Sequence, residues 1–156
     1  MNQDVILDLP TELSSIKFAE QMARYLSTPL IMTFSGEIGA GKTTLIRAML
    51  RCMGVNSAIK SPTFSLVESY QCLDVQIHHF DLYRIHDEAE LDYIGFRDYF
   101  TADAVCCIEW PERLVSYLER ADIAFSLRLK GAGRELHMRA FSVAGVELLS
   151  CLAGAS

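Results

Sequence analysis

Residues 36–43 read Gly-Glu-Ile-Gly-Ala-Gly-Lys-Thr. Glycine at this density permits backbone angles closed to other residues and lets the chain approach a bound oxygen closely. The apolar run Leu30–Phe34 precedes the segment and suits a strand buried on both faces. Lys42–Met53 follows with helical spacing, and Gly54 is placed to end it. A strand, a glycine turn and a helix start in this order aim successive N–H groups and the positive end of a helix dipole at one point, an anion site. The spacing G-x-x-x-x-G-K-[ST] is that of the phosphate-binding P-loop, which average composition produces by chance in roughly one chain of this length in 200. On this reading Glu37, Ile38, Gly39, Ala40 and Gly41 meet phosphate through their backbone. Lys42 reaches the β- and γ-phosphates as a point charge, the Thr43 hydroxyl ligates Mg²⁺, and Thr44 extends the cradle.

The rest of the chain narrows what such a loop serves. At 156 residues, 51% of them hydrophobic, the sequence supports one domain, 1–156, with a core of its own. A net charge of -6 argues against a stand-alone binder of bare nucleic acid. The only asparagines, Asn2 and Asn56, are not followed by Lys, so the Asn-Lys-x-Asp guanine motif is missing and ATP is the expected nucleotide. The ten arginines are scattered, with no lid-sized insertion. Five cysteines without a Cys-x-x-Cys pattern read as small buried hydrophobes in a reducing compartment. His78 and His79 are neighbours on a strand candidate and point to opposite faces, which argues against a shared zinc ion. Met1-Asn2-Gln3-Asp4 opens no leader, and no apolar run approaches the ~20 residues of a membrane helix, so a cytoplasmic protein with no membrane partner is expected.

Periodicity places an edge strand at Val5–Leu7 and a helix from Pro10 or Thr11 to about Leu26, with Ile16, Ala19, Ala23 and Leu26 on one face. Strands at Phe64–Tyr70 and Val75–Leu82 form a hairpin. A short helix runs from Asp87 to about Tyr93, with another turn after Gly95 as far as Phe100. Ala104–Ile108 is a second doubly buried strand, and Pro111 opens a helix to Leu118. Ile123–Leu129 and Leu136–Ala140 alternate around Gly131-Ala132-Gly133 as a second hairpin, before a last helix over Val146–Ala153. The expected fold is α/β: a three-layer P-loop NTPase fold whose mixed, mainly parallel central sheet carries a C-terminal antiparallel hairpin.

A P-loop site needs a further acid near the metal, at the C-terminal end of a buried strand. Glu109, after Val105–Ile108, is the metal-side choice together with Thr43, because its strand reads as more central. Asp81, ending the other strand, would orient water or hold the metal's outer shell. With Lys42, these two make up the expected catalytic set. Ser61-Pro62-Thr63-Phe64 offers two hydroxyls fixed by a proline. They read equally as an ordinary turn or as a loop sensing the γ-phosphate.

The set Gly36–Thr43, Ser61-Pro62-Thr63-Phe64, His79-Phe80-Asp81-Leu82-Tyr83-Arg84, Glu90-Leu91 with Gly95, and Glu109-Trp110-Pro111 resembles the bacterial TsaE family, over about residues 4–143. The resemblance implies the slow, Mg²⁺-dependent ATPase component of tRNA threonylcarbamoyladenosine biosynthesis. It also implies two partners, TsaD and TsaB, that modify adenosine 37 of tRNA, with tRNA reached through the complex. Asp81 is then needed for hydrolysis, Thr63 belongs to a switch-like loop, and Trp110 lies beside the nucleotide. Thr11 and Arg134 are further nucleotide contacts by the same resemblance. Glu37 and Ile38 stand where the family often has Asp and Leu, and the tail after Val143 matches poorly. Two other readings are a small-molecule kinase with an unidentified acceptor and a nucleotide-dependent scaffold.

Overall fold

The computed structural model describes residues 3–114 and 120–154. Seven strands, β1 (Gln3–Leu9), β2 (Leu30–Ser35), β3 (Val67–Cys72), β4 (Val75–Asp81), β5 (Ala104–Glu109), β6 (Ile123–Lys130) and β7 (Gly133–Ala140), form one sheet. Their order is β1-β7-β6-β2-β5-β4-β3. The central four, β6, β2, β5 and β4, are mutually parallel, while β3, β7 and β1 add antiparallel pairings. The helices are α1 (Glu12–Tyr25), α2 (Lys42–Cys52), α3 (Ala89–Tyr93) and α4 (Val143–Gly154).

Alternation along the central strands sorts the core into two. Met32, Phe34, Val105, Cys107, Phe125 and Leu127 pack beneath α1, α2 and α4. Ala104, Cys106, Ile108 and Phe80 face the opposite way, against α3 and the 3₁₀ turn Phe96–Tyr99. Helices on both faces explain why β2 and β5 read as unbroken apolar runs. The expected α/β class, the mainly parallel centre and the C-terminal hairpin are all present.

Local differences have physical reasons. The apolar face of α1 is Phe18, Ala19 and Met22, with Ile16 exposed, because α1 packs on both α2 and α4. β1 is longer than Val5–Leu7, since every residue from Gln3 to Leu9 pairs with β7. β3 begins at Val67, because Leu66 adopts a left-handed conformation, φ 69°, and its N–H donates to Pro62 O. Pro111 opens only a three-residue 3₁₀ turn, Pro111–Arg113; the rest of the helix expected to Leu118 lies outside the described residues from 115 on. α4 starts three residues early, because the Ser142 hydroxyl accepts from Gly145 N–H at 3.0 Å. Among the described residues, no helix is long and apolar enough to cross a membrane.

The parallel register decides where chemistry can sit. Phe34 lies beside Glu109, and Glu109 lies beside Asp81, across β2, β5 and β4. The loop leaving β2 and both acids therefore share one edge of the sheet, the edge at which open α/β sheets hold ligands. At the opposite end, Asp122 fixes β2. Its carboxylate accepts from Ile31 N–H at 2.7 Å and from the Ser142 hydroxyl at 2.6 Å. Asp122→Ala should leave the Ile31 amide without this partner and cost about 1–3 kcal/mol. Urea denaturation of the variant checks this; an unchanged midpoint would refute the anchoring role.

Candidate functional site

Three glycines shape the loop between β2 and α2. Gly36 has φ 137°, and a Cβ built there would lie 2.4 Å from the Leu127 carbonyl oxygen. Gly39 has φ 84° with open space around it, and Gly41, φ 101°, precedes α2 without any side-chain cap. The first amides of α2 are thus left for a ligand rather than for a capping side chain.

Lys42 is 95% buried in its own loop, being only 5% exposed. Its ammonium donates to the carbonyls of Gly36 and Glu37 and stands 4.3 Å from the centre of the Trp110 ring. Burial draws its pKa below the ordinary lysine value, and the charges of Glu109, Glu112 and Asp81 oppose that shift. The Thr43 hydroxyl lies 2.9 Å from each oxygen of Glu109, a carboxylate that is 2% exposed. His79 Nε2 stands 2.6 Å from Glu109 Oε2.

Asp81 is held by two donors. Tyr83 N–H reaches Oδ1 and the Thr63 hydroxyl reaches Oδ2, both at 3.1 Å. Ser61 and Thr63 hydroxyls are 2.8 Å apart, and the Arg84 guanidinium lies 4.2 Å over the ring of Phe64. Trp110 has a left-handed backbone, φ 61°, and donates its N–H to Phe34 O at 3.2 Å, which turns its ring toward Lys42 and Tyr83.

Of these groups, Lys42, Thr43, Thr63, Asp81, Tyr83, Glu109 and Trp110 line a cleft of about 380 Å³. A second cleft of about 300 Å³ shares Gly41, Thr44 and Arg134 with it and is lined also by Thr11, the N-cap of α1, and by Glu12 and Ile16 on that helix. Gly41, Thr44 and Arg134 thus stand between the acids and the start of the first helix.

A family model described as threonylcarbamoyl adenosine biosynthesis protein TsaE matches residues 9–136. The chain belongs to the TsaE family. A protein named tRNA threonylcarbamoyladenosine biosynthesis protein TsaE from Haemophilus influenzae is 37% identical over 147 residues, covering 91% of this chain and 93% of the relative. A protein of the same name from Bacillus subtilis is 30% identical over 122 residues, covering 78% of this chain and 75% of the relative. The crystal structure of Bacillus subtilis YdiB matches with a TM-score of 0.81 at 21% identity, covering 99% of this chain and 97% of that one, a likeness of fold.

Within this TsaE-family chain, the residues expected at the site fall into distinct places. Ile38, Gly39, Gly41, Lys42, Thr43, Thr44, Thr63, Asp81, Glu109, Trp110 and Arg134 all line the main cleft. Ala40 instead buries its methyl group in the core, while its carbonyl accepts from Arg134 Nε at 2.7 Å. Glu37 is exposed and offers its carbonyl to Lys42. Thr11 lines only the second cleft, and its hydroxyl accepts from Ser14 N–H at 3.1 Å as the N-cap of α1.

The histidines divide as their alternation requires. His78 meets the Ser69 hydroxyl on the other face, and no group of three potential metal-holding His, Cys, Asp or Glu residues occurs among the described residues. All five cysteines are free thiols. Burial pushes Cys106 up to about 12 and Cys107 well above the usual thiol range, whereas Cys52 and Cys151 are exposed rather than buried. His79 is the site residue that sequence reasoning missed. It opens the block His79–Arg84, yet its partner lies 30 positions away, and the signal for the contact was its facing direction on β4.

The loop geometry separates two glycine substitutions. Gly36→Ala meets both a positive φ and the Leu127 carbonyl, and should destabilise the chain by about 2 kcal/mol or more. Gly39→Ala meets strain alone and should cost about 1 kcal/mol. Thermal melts of the two variants read the difference; equal shifts would refute the close approach at Gly36.

Proposed function

We propose that this protein is the Mg²⁺-dependent ATPase subunit of the machinery that makes threonylcarbamoyladenosine at tRNA adenosine 37, with nucleotide binding and hydrolysis resetting the TsaD–TsaB pair. The observation that carries the reading is the joint placement of Lys42, Thr43, Glu109 and Asp81 in the lining of one cleft. The names of the curated relatives support the tRNA pathway, and the donor set supports the nucleotide.

The residues suit Mg²⁺ and a polyphosphate. The uncapped start of α2 presents amides to anionic oxygens. A hydroxyl facing both oxygens of a buried carboxylate is an all-oxygen pair of the kind Mg²⁺ prefers. Thr43 and Glu109 would hold the ion, directly or through water. Bound Mg²⁺ would neutralise phosphate charge as the terminal bond breaks.

Lys42 would donate to phosphate oxygens from a position already withdrawn from water, where a charge acts more strongly. Asp81 would accept a hydrogen bond from the attacking water, its plane kept by Tyr83 N–H and Thr63. Thr11 and Arg134 would contact the far part of the nucleotide along the second cleft. Because Thr63 touches Asp81, a change at the acid passes directly to the loop carrying Phe64, which is 80% exposed. That loop and Trp110 would present the surface read by TsaD and TsaB in the cytoplasm, and tRNA would be reached through them. Hydrolysis by the isolated chain would be slow, and residues 1–156 would act as one ATPase domain.

Two variants test the reading. Lys42→Ala should abolish nucleotide turnover and, in a mixture with TsaD, TsaB, ATP and tRNA, stop repeated rounds of modification. Turnover at the wild-type rate would refute it. Asp81→Ala should bind ATP normally but hydrolyse it about 100-fold or more slowly. Phosphate transfer to an added metabolite in preference to water would mark a small-molecule kinase instead. A second measurement addresses the switch: retention of this chain on immobilised TsaD–TsaB should differ between ATP and ADP, and identical retention would sink it.

A further inference from the structure

His79 is completely buried. An apolar side chain at this position would carry no cost of desolvating two ring nitrogens. The ring makes one polar contact among the described residues, at 2.6 Å to Glu109 Oε2, while Nδ1 has no partner. Two lone pairs cannot approach so closely, so a proton lies between them. Glu109 is already the acceptor for Thr43, which assigns the donated proton to His79 Nε2. The unpartnered nitrogen is then a lone pair, cheaper to bury than an unpaired N–H.

The sheet explains the reach. His79 is in register with Cys107, and Asp81 with Glu109, so alternation sets all four on one face. His79 thus meets Glu109 on the diagonal, from the side opposite Thr43 in chain origin: one contact comes from β4, the other from α2. A carboxylate gripped from two elements has one plane.

We infer that His79 is a positioning residue that holds the Glu109 carboxylate facing Thr43, and so sets how strongly the site takes a divalent cation together with a nucleotide. The inference rests on the reading above that Thr43 and Glu109 form the metal side. His79 touches neither substrate nor metal in this scheme.

The test compares His79→Asn with His79→Gln in the full chain. The glutamine amide nitrogen reaches about as far as Nε2, whereas the asparagine amide stops short. Binding of a non-hydrolysable ATP analogue is followed by the fluorescence of Trp110, the one tryptophan, in EDTA and across a Mg²⁺ titration. In His79→Asn, Mg²⁺ affinity in the nucleotide complex should fall about 10- to 100-fold. Nucleotide affinity in EDTA should stay within about 2-fold, and His79→Gln should recover most of the loss. Equal behaviour of the two variants, or a parallel fall in EDTA, would overturn the positioning role. A wild-type protein with no Mg²⁺ linkage would overturn the metal reading itself; a linkage that survives His79→Asn overturns the inference alone. Should the asparagine variant not fold, ring-nitrogen NMR of the wild type decides. Protonated Nε2 with bare Nδ1 is expected, and protonated Nδ1 with bare Nε2 overturns it.

Discussion

The buried carboxylate of Glu109 is the constraint around which the site is arranged. An isolated carboxylate at 2% exposure would cost several kcal/mol in lost hydration. Here hydrogen-bond donors arrive from α2 through Thr43 and from β4 through His79, and the Lys42 ammonium is close enough to feel the charge. None of these donors is adjacent to Glu109 in sequence. They converge because β5 is paired in parallel with both β2 and β4, at a register that sets Glu109 beside Phe34 and Asp81. A slip of one residue in β5 would turn Glu109 to the opposite face, toward α3, and leave it unpaired.

Charge balance follows from the same arrangement. Lys42 is influenced by three carboxylates, Glu109, Glu112 and Asp81, and its own ammonium is turned back onto two loop carbonyls. A lysine so placed is desolvated yet satisfied, which holds it straight in the loop rather than free in water. Trp110 contributes from the other side. Its left-handed backbone directly after Glu109 sends the chain out of the sheet, and its ring closes over the ammonium. The excess of negative groups around one lysine favours the arrival of a second cation, which supports the proposed place for Mg²⁺.

How much was legible in the sequence depends on the range of the interaction. The loop from Gly36 to Thr43, the runs before it and before Glu109, and the hairpin ending at Ala140 all rest on local spacing and burial period, and all appear as expected. Thr43 and Glu109 could be paired in advance because strand-end acids are what a phosphate loop requires. The misread elements are those set by distant contacts. Phe64–Leu66 was expected to begin a strand, but Asp81 N–H takes the Leu66 carbonyl and Thr63 takes Asp81, which holds the segment as a turn. Ile16 matched a helical face, yet α2 and α4, both packed on α1, chose Phe18 and Met22. His79 shares a strand face with Asp81, but its partner Glu109 lies 30 positions away, so local spacing gave it no role.

The loop from Ser61 to Phe64 shows why a contact between distant segments escapes a linear reading. Its hydroxyls suggested a sensor only as strongly as they suggested a turn. Folding attaches the loop to the site at one point, Thr63 on Asp81, and to the surface at another, Phe64 beneath Arg84. Arg84 is three residues from Asp81, so the same short stretch after β4 grips the loop at both places. A single exposed phenylalanine is unremarkable on a protein surface. Here Phe64 follows a residue whose hydroxyl bonds a strand-end acid in the cleft, so the proposed signal to a partner would need no longer path than Asp81, Thr63 and Phe64.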